Sequence, residues 1–211
     1  MNPLGRRALL AAAATLAIRP SHAEEPCCGP ISPAGQRLAA LLDSMDVEHR
    51  WLAHEHVDWQ TGLEDRPAGP GPDRATHCSA FAAAVGLRLN IYMLRPPEHG
   101  LTLLASAQTR WFATPAATTD GWRPIDRMQP AQQAANQGRL VVIAYENPDP
   151  HRPGHIVIVR PSLQSAEALA RGGPEVIQAA TRNKASHPAA RSFLGHPGAW
   201  STGATQAFVY S

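Results

Sequence analysis

Leu140-Val141-Val142-Ile143-Ala144-Tyr145, then the turn formers Asn147-Pro148-Asp149-Pro150 and Pro153-Gly154, then His155-Ile156-Val157-Ile158-Val159-Arg160: this run decides the fold. Short apolar stretches rich in β-branched residues, bounded by Pro, Asn, Asp and Gly, read as buried strands. No helical pattern lies between the two, so they read as an antiparallel hairpin with a long loop. Downstream, Pro174-Glu175-Val176-Ile177-Gln178-Ala179 gives a third strand and Ala207 to Tyr210 a fourth.

Upstream the pattern is helical. Ser32-Pro33 supplies an N-cap and a first helical position. Leu38, Leu41, Leu42 and Met45 then recur at helical spacing, which predicts a helix over 33–46. Residues 47–75 are polar, with Gly and Pro crowded into 66–73, and read as loop with at most a short strand. Thr76 or His77 caps a second helix running to about Leu89, with Phe81, Val85 and Leu89 on its apolar face. Ile91 to Leu94 reads as a short strand before Arg95-Pro96-Pro97. Leu103 to Phe112 reads as a third helix, and Met128 to Gln137 as a fourth ended by Gly138. Gln108, Asn136 and Gln137 are taken as polar residues on helix faces. Helices followed by strands predict an α+β fold with an antiparallel sheet.

The composition is compatible with one such domain. The chain has 211 residues, 44% hydrophobic and 17% charged, with 20 Pro and 16 Gly that point to long loops. Arg6-Arg7 precedes an apolar run from Ala8 to Ile18, and Ser21-His22-Ala23 offers small residues at a cleavage site. This predicts a bacterial secretory signal over 1–23, with a twin-arginine flavour. The run of about 11 residues falls short of the ~20 needed to span a bilayer, so stable membrane insertion after signal removal is not expected. Residues 24–32 then read as a flexible tail and 33–211 as the domain. Removing the signal takes away three arginines and leaves 16 basic against 17 acidic groups. That balance gives no reason to expect nucleic acid. Export places the protein in the periplasm or outside the cell, where disulfides form. The cysteines are Cys27, Cys28 and Cys78; an odd count leaves at least one unpaired within a monomer.

Cys78 opens the second helix, in Thr76-His77-Cys78-Ser79-Ala80-Phe81. A helix N-terminus carries partial positive charge and free N–H groups, which favour a thiolate and can hold an oxyanion. A thiol nucleophile needs a base. His155 is the candidate, because it opens an apolar strand directly after a Pro-Gly turn. His77 is adjacent to Cys78, but neighbours on a helix point about 100° apart. A third polar group must orient the imidazole. Gln178 lies inside an apolar strand and suits that role, with Asn183 and then His187 as the other choices.

Cys-Ser-Ala-Phe opening a helix, Gly-His-Ile-Val-Ile-Val on a strand and Val-Ile-Gln-Ala on the next resemble the NlpC-like family of papain-fold cell-wall peptidases, over roughly residues 76–180. The resemblance implies a papain-like α+β fold, with Cys78 as nucleophile, His155 as base and then acid, and Gln178 as the orienting group. His77, Ala80 and Gln178 depart from the usual Asp, Gly and His of that family. The implied function is an exported cysteine hydrolase cleaving amide bonds in peptidoglycan stem peptides. The alternatives are an amidase or acyltransferase acting on another substrate, and a catalytically silent envelope protein that binds through the same groove. No cofactor is implied. His54-Glu55-His56 has a chelate-like spacing but lacks a third ligand, and catalytic zinc wants three. Trp51, Trp59, Gln60 and Trp122 are candidates for a substrate groove, or large side chains packed under loops.

Overall fold

The computed structural model describes residues 26–69, 76–126 and 128–211. The expected secretory signal over 1–23 lies outside these residues, as does most of the Gly/Pro cluster in the long loop. No helix among the described residues is long and apolar enough to cross a membrane.

Helix α1 (Pro33–Ser44) starts as its sequence dictates: the Ser32 hydroxyl accepts from the Gly35 N–H at 3.1 Å, and Pro33 occupies the first turn. A small hairpin follows, β1 (His56–Val57) with β2 (Glu64–Arg66). Helix α2 (Cys78–Arg88) ends in a Schellman turn. Asn90 takes a left-handed φ of 56°, and the Ile91 N–H reaches back to the Gly86 carbonyl at 2.8 Å. Helices α3 (Leu104–Phe112) and α4 (Pro115–Thr119) lead to β3 (Trp122–Ile125). Helix α5 (Met128–Asn136) stops at Gly138, whose φ of 86° suits a residue without Cβ.

Strands β4 (Val141–Tyr145) and β5 (His155–Val159) form the predicted hairpin, with Tyr145 opposite His155. After α6 (Ala166–Gly172) come β6 (Glu175–Gln178), β7 (Lys184–Pro188), α7 (Ala189–Ser192) and β8 (Gln206–Tyr210). The main sheet has six strands in the order β3-β8-β4-β5-β6-β7, and every pairing is antiparallel. The architecture is therefore α+β.

Strand alternation divides the core into two layers. One face carries Val142, Ala144, Ile156, Ile158, Ile177 and Phe208 and packs under α2, α3 and the Trp51 loop. The other carries Val141, Ile143, Tyr145, Val157, Val159 and Val176 and packs under α5 and α7. Both central strands are buried along their whole length, which is why β4 and β5 read as unbroken apolar runs.

Three expectations need correction. Ile91 to Leu94 is coil, not strand. Its carbonyls already serve side chains: Trp122 Nε1 donates to the Tyr92 oxygen at 2.8 Å, and Gln108 Nε2 to the Leu94 oxygen at 2.9 Å. Residues 26–32 are not a loose tail, because the Cys27 N–H bonds the Gln164 carbonyl and the Ser32 N–H bonds the Asn136 carbonyl, each at 2.9 Å. Cys27 and Cys28 are joined in a disulfide to each other, leaving Cys78 as the free thiol. Gln108 and Asn136 are not surface residues: both are completely buried and tie separate segments together.

Candidate active site

Cys78 is the first residue of α2. His77 takes the N-cap position but makes no side-chain cap. Its ring turns away to bond the Glu55 carbonyl at 2.9 Å, which anchors the loop before β1 and removes His77 as a partner for the neighbouring thiol. The first-turn amides thus stay free for the sulfur. The backbone of Cys78, Ser79 and Ile156 and the side chain of Thr76 lie around the sulfur and favour its charged form. Burial opposes them and dominates, pushing the Cys78 thiol above its ordinary value. The sequence suggested a thiolate favoured by the helix end; in the folded protein desolvation outweighs that end, and the resting group is a neutral thiol.

Gly154 brings β5 to this spot. A Cβ there would meet the Tyr145 carbonyl oxygen at 2.1 Å and Ser106 Oγ at 2.8 Å, so only glycine allows so close an approach. The Gly154 N–H donates to Ser106 Oγ at 3.0 Å, fixing the strand entrance to α3.

His155 follows at once, only 3% exposed. One of its nitrogens, Nε2, lies 2.9 Å from Gln178 Oε1. The Gln178 amide nitrogen in turn donates to the Arg182 carbonyl at 3.2 Å, which fixes the amide orientation. An amide oxygen can only accept, so His155 Nε2 carries the proton, and Nδ1 of the neutral ring holds a lone pair with no partner among the described residues. Burial lowers the His155 pKa, against the Gln178 hydrogen bond, and keeps the ring neutral.

The ring lies on the Tyr145 face of the sheet, against Phe193 and His196, with centroids 5.4 and 5.5 Å away. Cys78 belongs to the opposite layer with Ile156. Sulfur and imidazole therefore flank the first peptide of β5 from its two sides. No hydrogen bond joins them at rest.

The other candidates fall elsewhere. Asn183 clamps the Trp51 loop, its Nδ2 donating to the Val47, Arg50 and Trp51 carbonyls at 2.6, 2.7 and 3.2 Å while its Oδ1 accepts from the Ala180 N–H. His187 is paired with Ser192 at 2.9 Å. Of the three choices for the orienting group, only Gln178 reaches His155. Trp51 and Trp122 are core side chains, 1% and 0% exposed, so neither lines a groove; Trp59 is partly buried beside them, and Gln60 is exposed. Among the described residues no three His, Cys, Asp or Glu side chains converge on a common metal position.

A cavity of about 620 Å³ opens on the Cys78 side. Cys78, Thr76, Ser79, Val57, Leu104 and Pro153 are among its walls, and so are His56, His77 and His151. The sequence offered no signal for this cavity. It also gave none for the pairing of His56 Nδ1 with the Asp65 carboxylate, because the two lie on different strands of a very short hairpin. No protein-family model matches the chain, and no curated protein sequence matches it either.

Proposed function

We propose that the protein is an exported cysteine hydrolase of papain-like fold that cleaves amide bonds, with peptidoglycan stem peptides as the substrate its motifs suggest. The observation that carries this reading is Cys78: a free thiol on the first residue of α2 that lines a cavity of about 620 Å³. His155, held by Gln178 in the tautomer with a free Nδ1 lone pair, is the base this reading assigns to that thiol.

In this mechanism the His155 ring comes round the first peptide of β5, which separates it from the sulfur at rest, and its Nδ1 takes the Cys78 proton as the sulfur attacks the carbonyl carbon. The amides at the start of α2 hold the oxyanion. The C–N bond breaks as the nitrogen takes up a proton, the amine leaves and a thioester remains. Water then attacks the thioester and gives up a proton in place of the one the amine took, the C–S bond breaks, the acid is released, and the thiol recovers its proton. Because burial raises the thiol pKa, the ion pair forms only as substrate arrives, rather than at rest.

The test is digestion of purified sacculi and of a chromogenic acyl ester by the wild type, Cys78→Ala and His155→Ala. New amino termini released by the wild type and lost in both variants support the reading. If no new amino termini are released and no thioester forms with the ester, the reading is overturned. Iodoacetamide should alkylate the resting thiol slowly at pH 7 and faster well above pH 9.

A further inference from the structure

Of the three histidines that line the cavity in front of Cys78, His56 is in a posture fit for proton transfer. His56 lies on β1 and lines that cavity together with the thiol. The register of the hairpin pairs His56 with Arg66 and Val57 with Glu64, so Asp65 is the extra residue of a bulge. Bulges re-aim side chains. Here the Asp65 carboxylate meets His56 Nδ1, and His56 holds the Asp65 carboxyl below its usual range. With Nδ1 committed to a carboxylate, the nitrogen left for a ligand is Nε2. The other two imidazoles of the cavity lack this arrangement. His77 is tied to the Glu55 carbonyl, and His151 has no carboxylate partner for its ring among the described residues.

We propose that His56, oriented by Asp65, is the general acid that protonates the leaving amine and then the base that activates water. This rests on the reading of Cys78 as nucleophile. It follows from which histidine lines the cavity: His56 does and His155 does not, and the leaving group departs into the cavity. His155 Nδ1 accepts the thiol proton. As the tetrahedral adduct collapses, the C–N bond breaks and the nitrogen takes the proton from His56 Nε2. Water then adds to the thioester carbonyl and gives its proton to His56 Nε2. The C–S bond breaks, and the sulfur regains its proton from His155.

Such an acid matters only when the leaving group is basic. Amide hydrolysis needs a protonated amine, whereas p-nitrophenolate leaves unaided. The experiment compares an anilide or peptide amide with the p-nitrophenyl ester of the same acyl group, in the full chain. The expected result is that His56→Ala and Asp65→Asn each lower amide turnover by about 10²-fold, within the range for general acid–base groups, and leave ester acylation within about threefold. His49→Ala, which breaks an exposed histidine–aspartate pair outside the cavity, should change neither. Equal loss on both substrates in His56→Ala would overturn the proposal by making His56 a base for the thiol or a structural support. Unchanged amide turnover would overturn it too. Absence of ester acylation in the wild type would instead sink the thiol reading beneath it, so the two failures are distinguishable.

Discussion

His155 has two ring nitrogens and one proton at neutral pH, and Gln178 decides which nitrogen holds it. The amide oxygen accepts from Nε2 at 2.9 Å, and the amide nitrogen is occupied by the Arg182 carbonyl. Gln178→Ala removes a hydrogen bond worth about 1 kcal/mol net and strands a buried donor, so a stability loss of about 1–3 kcal/mol is expected by denaturant titration. Its effect on activity has a sign of its own. The Gln178 bond raises the His155 pKa while burial lowers it. Deleting the bond moves the acid limb of kcat/KM further down in pH and lowers the plateau by about tenfold or more, the scale of one lost orienting bond plus a freed tautomer. Gln178→Glu places a carboxylate beside the ring and moves the limb up. A role in packing alone would leave the limb where it is. Gln178 was legible in the sequence as a polar residue inside an apolar strand. The His56–Asp65 pair was not, because a bulge between two very short strands sets that contact and no periodicity announces it.

Elements whose ends carry their own chemistry were readable, and those that depend on neighbours were not. Ser32-Pro33 starts α1 and Gly138 ends α5, as their side chains require. The two strands missed are the edges of the sheet, β3 and β7. Trp122-Arg123-Pro124-Ile125 contains a proline, and Lys184-Ala185-Ser186-His187-Pro188 is polar and ends on one, the composition that edge strands carry to avoid further pairing. The joints between elements were also hidden. Asn136 looks like an ordinary polar helix residue, yet its Nδ2 donates to the Gly29 and Ser162 carbonyls at 3.1 and 3.0 Å, and its Oδ1 accepts from the Ser162 N–H and Gln132 Nε2. It fastens the N-terminal segment, α5 and the exit of β5 in one network. Asn136→Ala leaves several of these buried groups unpaired, so a loss of about 2–4 kcal/mol is expected, read as a drop in the urea midpoint with the slope unchanged. An exposed control such as Gln133→Ala on the same helix should stay within about 0.5 kcal/mol.

At the scale of the whole molecule, both faces of the sheet bury histidine. Burial holds His77, His155, His187 and His196 below the ordinary imidazole value, His196 down to about 4 with His155 as a further cause. All four are bases whose charged form the fold disfavours. In the unfolded chain they take up protons as the pH falls through about 6.5. The folded chain declines those protons until the pH reaches each lowered value. Between the two, the unfolded state binds more protons, so stability is fully present above pH 6.5 and falls as the solution is acidified. Each histidine caught in that window costs about 1.4 kcal/mol per pH unit. The loss is also concentrated, because His155 and His196 stack on each other and Tyr145 packs on His196. Protonating one disfavours protonating the other, and the end of β4 and the start of β5 meet at that cluster. Thermal melts from pH 7.5 to 4.5 should therefore show Tm dropping steadily below pH 6.5. His196→Phe, which keeps a ring on Tyr145 without a titrating group, should flatten the acid end of that curve while leaving Tm at pH 7.5 little changed. A Tm independent of pH over this range would contradict the burial of these rings as neutral groups, and with it the neutral His155 on which the proposed chemistry depends.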